Sequence, residues 1–175
     1  MKTYIPIFIA LLVSVSGCKG NKDEASDAQT QSAPKHDPDV PLDVADTLVL
    51  TKGVWVLKET WQPYSGKLFK RFDSPGNEEK VAWSGAVKKG QKHGVWTTYQ
   101  VDGQKSDEAT WTNGKLDGIH TLYREDGSTW SKSPYKDGKR HGVKVSYYPD
   151  GAKQWVTPYE KGKIHGVEIL YAEDG

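Results

Sequence analysis

Three histidines are the first residues that could do chemistry. His93, His141 and His165 stand in phase with a 24-residue period. Imidazoles repeated in this way suggest a metal ladder. However, sheet repeats of two strands lie about 10 Å apart, whereas a histidine nitrogen sits about 2 Å from its ion. The three therefore read as turn residues, and no metal or cofactor is expected. His120 reads as a lone, solvated strand histidine. Asp102, Asp126, Asp150 and Asp174 could pass for paired carboxylates, yet each is followed by glycine and has a turn role. The only cysteine is Cys18. There is no phosphate-binding Gly-rich loop, no Gly-x-Ser-x-Gly and no zinc spacing, so an enzyme is not expected.

Cys18 has a different chemistry. Lys2 and the short apolar run Ile5 to Val15 read as a targeting segment over residues 1–17, too short to span a membrane. Val15-Ser16-Gly17-Cys18 matches the bacterial lipobox, in which cleavage before the cysteine leaves it lipidated. Lys19 follows where an aspartate would resemble an inner-membrane retention signal. The expected location is the cell envelope, at the outer membrane of a Gram-negative host. Lys22-Asp23-Glu24 resembles a short surface-export signal, but over three residues it reads rather as a solvated linker charge run. Residues 18–47 hold almost no large apolar side chain and read as a disordered tether, roughly 30 Å across as a coil.

The remaining chain, 48–175, is built on a repeat. Gly90, Gly114, Gly138 and Gly162 are in step, as are Gly94, Gly118, Gly142 and Gly166. Tyr99, Tyr123, Tyr147 and Tyr171 follow, and then the Asp-Gly pairs ending at Gly103, Gly127, Gly151 and Gly175. Regular copies start at 90, 114, 138 and 162, after a degenerate copy at 64–85 with a short insertion at Gly85 to Lys89. Asp-Gly between alternating strands predicts a hairpin with a type I′ turn. The Gly-x-x-x-Gly segment turns the chain into the next copy, since glycine tolerates positive φ. Val95, Thr97 and Tyr99 and their equivalents form one face, expected to be buried. Trp96, Thr98, His120, Lys144 and Ser146 lie on the other. Leu48 to Leu50 and Val54 to Leu57 read as strands around Lys52-Gly53. Pro134 and Pro158 predict interruptions, because proline donates no ladder bond. The fold class expected is all-β, an elongated antiparallel meander of 24-residue hairpins.

Gly-Lys-Arg-His-Gly at 138–142, the aromatic five residues after its second glycine, and the Asp-Gly turn resemble the MORN-repeat family in its bacterial variant form. Lys92-His93-Gly94 and Ile164-His165-Gly166 repeat the element. The resemblance covers about Val54 to Gly175 and implies a β-hairpin array. Many bacterial members carry the label of YwqK-type antitoxins, and Pro63-Tyr64-Ser65-Gly66-Lys67 resembles the entry motif ahead of their repeats.

Charge and aromatics supply the candidate surfaces. The chain carries a formal charge of +1. The turns between copies concentrate Lys88, Lys89, Lys92, Lys115, Lys136, Lys139, Arg140, Lys161 and Lys163 on one edge, and the Asp-Gly turns make the other acidic. The two charged edges read first as soluble rims that limit aggregation; as a docking edge, the basic one attracts anionic lipid, lipopolysaccharide or cell-wall polymer at about 1 kcal/mol per residue. An anchor outside the cytoplasm leaves no role for nucleic acid. In-phase Trp111, Tyr135 and Tyr159 read as core, with Tyr99 and its equivalents. Trp96, Trp130, Tyr148 and Trp155 are, where exposed, the candidate partner surface, because Trp and Tyr are enriched in hot spots. A single-layer sheet leaves a face to cover, by a partner or a second copy. The expected function is a non-enzymatic, lipid-anchored binding scaffold, with an antitoxin or immunity-type protein as the alternative. A hydrolase or transferase would need a site that the sequence does not display.

Overall fold

The computed structural model describes residues 37–173. The targeting segment, Cys18, the tether as far as residue 36 and Asp174-Gly175 lie outside the described residues. The ordered elements begin earlier than residue 48. Strand β1 (Leu42–Asp43) and helix α1 (Val44–Thr47) precede the hairpin β2 (Leu48–Thr51) and β3 (Val54–Leu57). Asp43 caps α1 by accepting the Ala45 N–H at 3.0 Å, and Val44 is buried, which holds this stretch in place.

The array follows as β4 (Gly66–Arg71), β5 (Val81–Lys88), β6 (Gln91–Tyr99), β7 (Lys105–Thr112), β8 (Lys115–Tyr123) and β9 (Thr129–Lys136). It ends with β10 (Lys139–Arg140), β11 (Gly142–Tyr147), β12 (Lys153–Glu160), β13 (Lys163–Ile164) and β14 (Ile169–Leu170). From β4 to β9 each strand pairs antiparallel with the next, β9 then pairs with both β10 and β11, and β12 with β11, β13 and β14, giving an all-β meander; β1 adds to β4 in parallel. Residues 85–88 continue β5, so the expected insertion is ordinary strand.

The two kinds of turn are physically different, and the expected type I′ geometry belongs to the other one. Both central residues have positive φ at Asn113-Gly114 (49° and 77°) and Asp137-Gly138 (50° and 80°), with Lys89-Gly90 and Lys161-Gly162 alike. These inter-copy turns are the two-residue type I′ turns. At the Asp-Gly turns only the glycine has positive φ. Gly103 N–H donates to Gln100 O at 2.9 Å, and Gln100 N–H donates to Gln104 O at 2.7 Å, closing a three-residue loop. The aspartate serves instead as an acceptor. Asp102, Asp126 and Asp150 each receive the N–H two residues on, at 2.9, 2.8 and 2.8 Å.

Each hairpin also carries one bulge in phase. Thr98 faces Asp107 and Tyr99 faces Lys105, leaving Ser106 unpaired; Ala82, Trp130 and Gln154 occupy the same position in the other copies. The prolines interrupt as expected. Their carbonyls still accept, from His141 N–H at 3.0 Å and His165 N–H at 2.9 Å. The amide that proline lacks faces the same neighbour, and there the strand breaks between β10 and β11 and between β13 and β14.

The core lies at one end. Val44, Leu48, Tyr64, Leu68, Val87 and Trp96 are buried together, with Trp55, Trp83 and Trp111 against them. The N-terminal elements thus cap one face of the first hairpins. Gly85 is required there, because a Cβ at that position would run into the Trp96 ring. The burial expected of Val95 is inverted: Val95 is 53% exposed and Trp96 only 6%. The division of residues between faces is as expected, but α1 and β2–β3 cover the side that carries Trp96.

Candidate functional site

The inter-copy turns stack along one edge. Gly114 N–H donates to Lys92 O at 2.9 Å, Gly138 to Leu116 O at 2.7 Å and Gly162 to Arg140 O at 2.8 Å. This line carries the basic residues singled out above, which separate into two groups. Lys88, Lys89, Lys115, Lys136, Lys139, Lys161 and Lys163 are exposed. Lys92 and Arg140 fold back onto the capped face. The Lys92 ammonium lies 4.2 Å from the Trp96 ring centroid and 4.5 Å from that of Trp111. Burial pushes its pKa below the ordinary 10.5, with the Asp107 carboxylate opposing the shift. Arg140 lies over Tyr159 at 5.3 Å and donates to the Tyr135 hydroxyl at 3.2 Å. Trp111, Tyr135 and Tyr159 are therefore half-buried side chains interleaved with cations. Tyr99, Tyr123 and Tyr147 occupy the opposite face, so the in-phase aromatics do not share one core.

The Asp-Gly edge has its own stitching, which the sequence reading missed. Gln100 Nε2 donates to Arg124 O at 3.1 Å, the Arg124 guanidinium donates to Tyr147 O, and the Tyr148 hydroxyl donates to Tyr171 O at 2.9 Å. The three donors stand 24 residues apart. That spacing was the available signal, masked by three unlike side chains in one role. Asp126 in this edge is held below the usual carboxylate range by hydrogen bonds from Ser128.

The four expected partner aromatics are dispersed. Trp96 belongs to the core, which removes it from any partner surface. Trp130 and Trp155 are 51% and 40% exposed, and Tyr148 is half-buried with its hydroxyl engaged. A different apolar series is exposed. Val95, Ile119 and Val143 are each about half exposed (53, 49 and 49%) and Val167 is 77% exposed. They share the uncapped face, one per copy, and Pro134 and Pro158 lie directly across from Ile119 and Val143. At the first of these hairpins the row opens into a cleft of about 990 Å³ lined by Phe69, Val81, Val95 and Tyr99, with Arg71 and Asp102 among its charged groups. Arg71 is held by the Asp43 carboxylate at 2.6 Å and lies over Phe69.

The histidines have separate environments. His120 is hydrogen-bonded to the Asp107 carboxylate, not solvated alone, and faces the buried Ser133 across the strand pair. The three side chains lie on one face of three adjacent strands. His93 has a buried Nδ1 with no hydrogen-bond partner, while His141 and His165 are exposed. Among the described residues no three His, Cys, Asp or Glu side chains converge, and no helix is long and apolar enough to cross a membrane. Gly94, Gly118, Gly142 and Gly166 have φ of 76°, 134°, 105° and 114°; Gly103, Gly127 and Gly151 have 92°, 81° and 89°. All seven serve the backbone. In comparisons with known proteins, the chain matches no family model and no curated sequence.

Proposed function

We propose that this protein is a non-enzymatic binding scaffold of the cell envelope, a MORN-like array held at the membrane by a lipid on Cys18. The observation that supports this reading is the in-phase exposed row Val95, Ile119, Val143 and Val167 on the uncapped face. Apolar side chains placed once per copy on a solvent-facing sheet form an exposed row of the kind that marks a protein contact. The row adjoins the cleft at Val95 and Tyr99, which would take a protruding side chain of the partner. The lipobox supports the lipid anchor, and Lys19 directly after the cysteine supports the outer membrane of a Gram-negative host; replacing Cys18 by alanine should move the protein out of the membrane fraction.

Photo-crosslinking in cells tests the reading, with the crosslinkable residue placed at Val143 on the row or at Lys153 outside it. A single protein captured from Val143 and not from Lys153 is the expected result. Equal capture from both, or none from Val143, contradicts it. If the captured protein is a toxic effector encoded beside this chain, the scaffold is of the antitoxin or immunity type. Capture of the same chain would identify a homodimer.

A further inference from the structure

The inter-copy edge holds a second site, distinct from the apolar row. Lys115, Lys136, Lys139 and Lys161 surround one hollow of about 420 Å³, with His141 on its rim and Asp137 as its one carboxylate. The lysines come from three successive turns. The bonds from Gly138 to Leu116 O and from Gly162 to Arg140 O fix those turns against one another. Their positions are therefore set by the backbone.

The residues flanking each type I′ turn show that this charge is unbalanced. Lys88 faces Gln91, Thr112 faces Lys115 and Glu160 faces Lys163. Only at the central turn do two cations face each other, Lys136 and Lys139. Like charges directly across a strand pair destabilise it. Among the described residues, Lys115, Lys136 and Lys139 have no ion-pair partner, and Lys161 has only the exposed Glu160 at 3.9 Å. An arrangement that costs folding energy when empty gains when an anion fills it. Lysine supplies compact charges on flexible stems instead of a planar fork, which suits anionic groups on a chain that can shift. Three turns about 10 Å apart make a line of charge, not a cup around one ion. Exposed Lys88, Lys89 and Lys163 extend the line in both directions.

We propose that this edge binds a linear anionic polysaccharide, with Lys115, Lys136 and Lys139 at the centre of the contact. The inference rests on the reading of the array as a binding scaffold. It uses an edge that the protein-docking row does not, so loss of one leaves the other testable.

The experiment is a calorimetric titration of the full-length protein in detergent with dextran sulfate, uncharged dextran and inorganic phosphate. Flotation with phosphatidylcholine–phosphatidylglycerol vesicles is run in parallel. The expected result is binding of dextran sulfate alone, weakened about a hundredfold by Lys115→Gln/Lys136→Gln/Lys139→Gln. Lys153→Gln, on the opposite edge, should leave it unchanged. If the triple variant does not fold, Lys139→Gln alone should lower the slope of log affinity against log salt by about 1. Binding insensitive to these lysines, or equally reduced by Lys153→Gln, overturns the proposal. So does phosphate competing as well as the polymer at equal charge, which would indicate a single-ion site. Vesicle capture through the same lysines without polysaccharide binding would identify a lipid surface and overturn it as well. Failure in any of these ways leaves capture at Val143 unaffected, and failure there leaves this titration unaffected.

Discussion

The first hairpins and the last are built from the same 24-residue pattern but are held by different forces. Around β4 to β7 the sheet face is covered, and Leu68 is only 1% exposed beneath Val44, Leu48 and Tyr64. Beyond Ala109 no described hydrophobic side chain is buried; the buried groups are Thr121, Ser131, Ser133 and Thr157. There the array is held by ladder bonds, by the glycine bonds of one edge and by the side-chain stitching of the other. A repeat sequence thus specifies hairpin geometry, while burial depends on what is laid over the sheet. In a stack where each unit touches only its neighbours, the two ends can differ in stability while sharing one backbone plan.

The largest effect should come from the covered end. Trp96→Ala empties the centre of the aromatic cluster and should cost about 3–5 kcal/mol in denaturant unfolding. A loss under about 1 kcal/mol would show that the cap contributes little. Arg124→Met removes the charged hydrogen bond to Tyr147 O that ties the third hairpin to the fourth, together with those to Ser128 and Thr129 inside the third, and should cost about 1.5–3 kcal/mol. The added exchange of backbone amides should be confined to β8, β9, β11 and β12; an even spread would break the distinction between ends.

Much of this was legible in the sequence. The period, the strands and the inter-copy turns follow from glycine phase, and β2–β3 from alternation around Lys52-Gly53. The covered face was not legible, because Trp96 is buried by Val44 and Leu48, about 50 residues earlier, and nothing local separates it from solvent-facing Trp130. The site was partly legible. The lysines of the edge could be read from spacing, but Lys92 and Arg140 could not be set apart, since their stems bend over aromatics that only strand register places beside them. The His120–Asp107 pair was invisible for the same reason.

Gly138→Ala places a Cβ in a turn with φ of 80° and should cost about 1–2 kcal/mol, felt at the open end. A loss as large as that of Trp96→Ala would mean that the turns, not the cap, hold the array. Lys92 predicts a pH dependence. Its folded pKa lies below 10.5, so the unfolded chain holds that proton more tightly. Stability should therefore rise as pH climbs through the folded value towards 10.5. Unfolding curves for Lys92→Met should lack this rise; an unchanged slope would place the titration elsewhere. The smallest effect is expected for Val143→Thr. At 49% exposure it should change stability by no more than about 0.5 kcal/mol while reducing partner capture. A large loss would move the uncapped face into the folding core.

Hydrogen exchange of the whole protein, resolved by mass spectrometry along the chain, tests the two-regime account most directly. The account predicts slow exchange in β4 to β7, with protection falling stepwise through β8, β9 and β11 to the exposed pieces β13 and β14. Uniform protection along the array, or the slowest amides in β11 and β12, would contradict it.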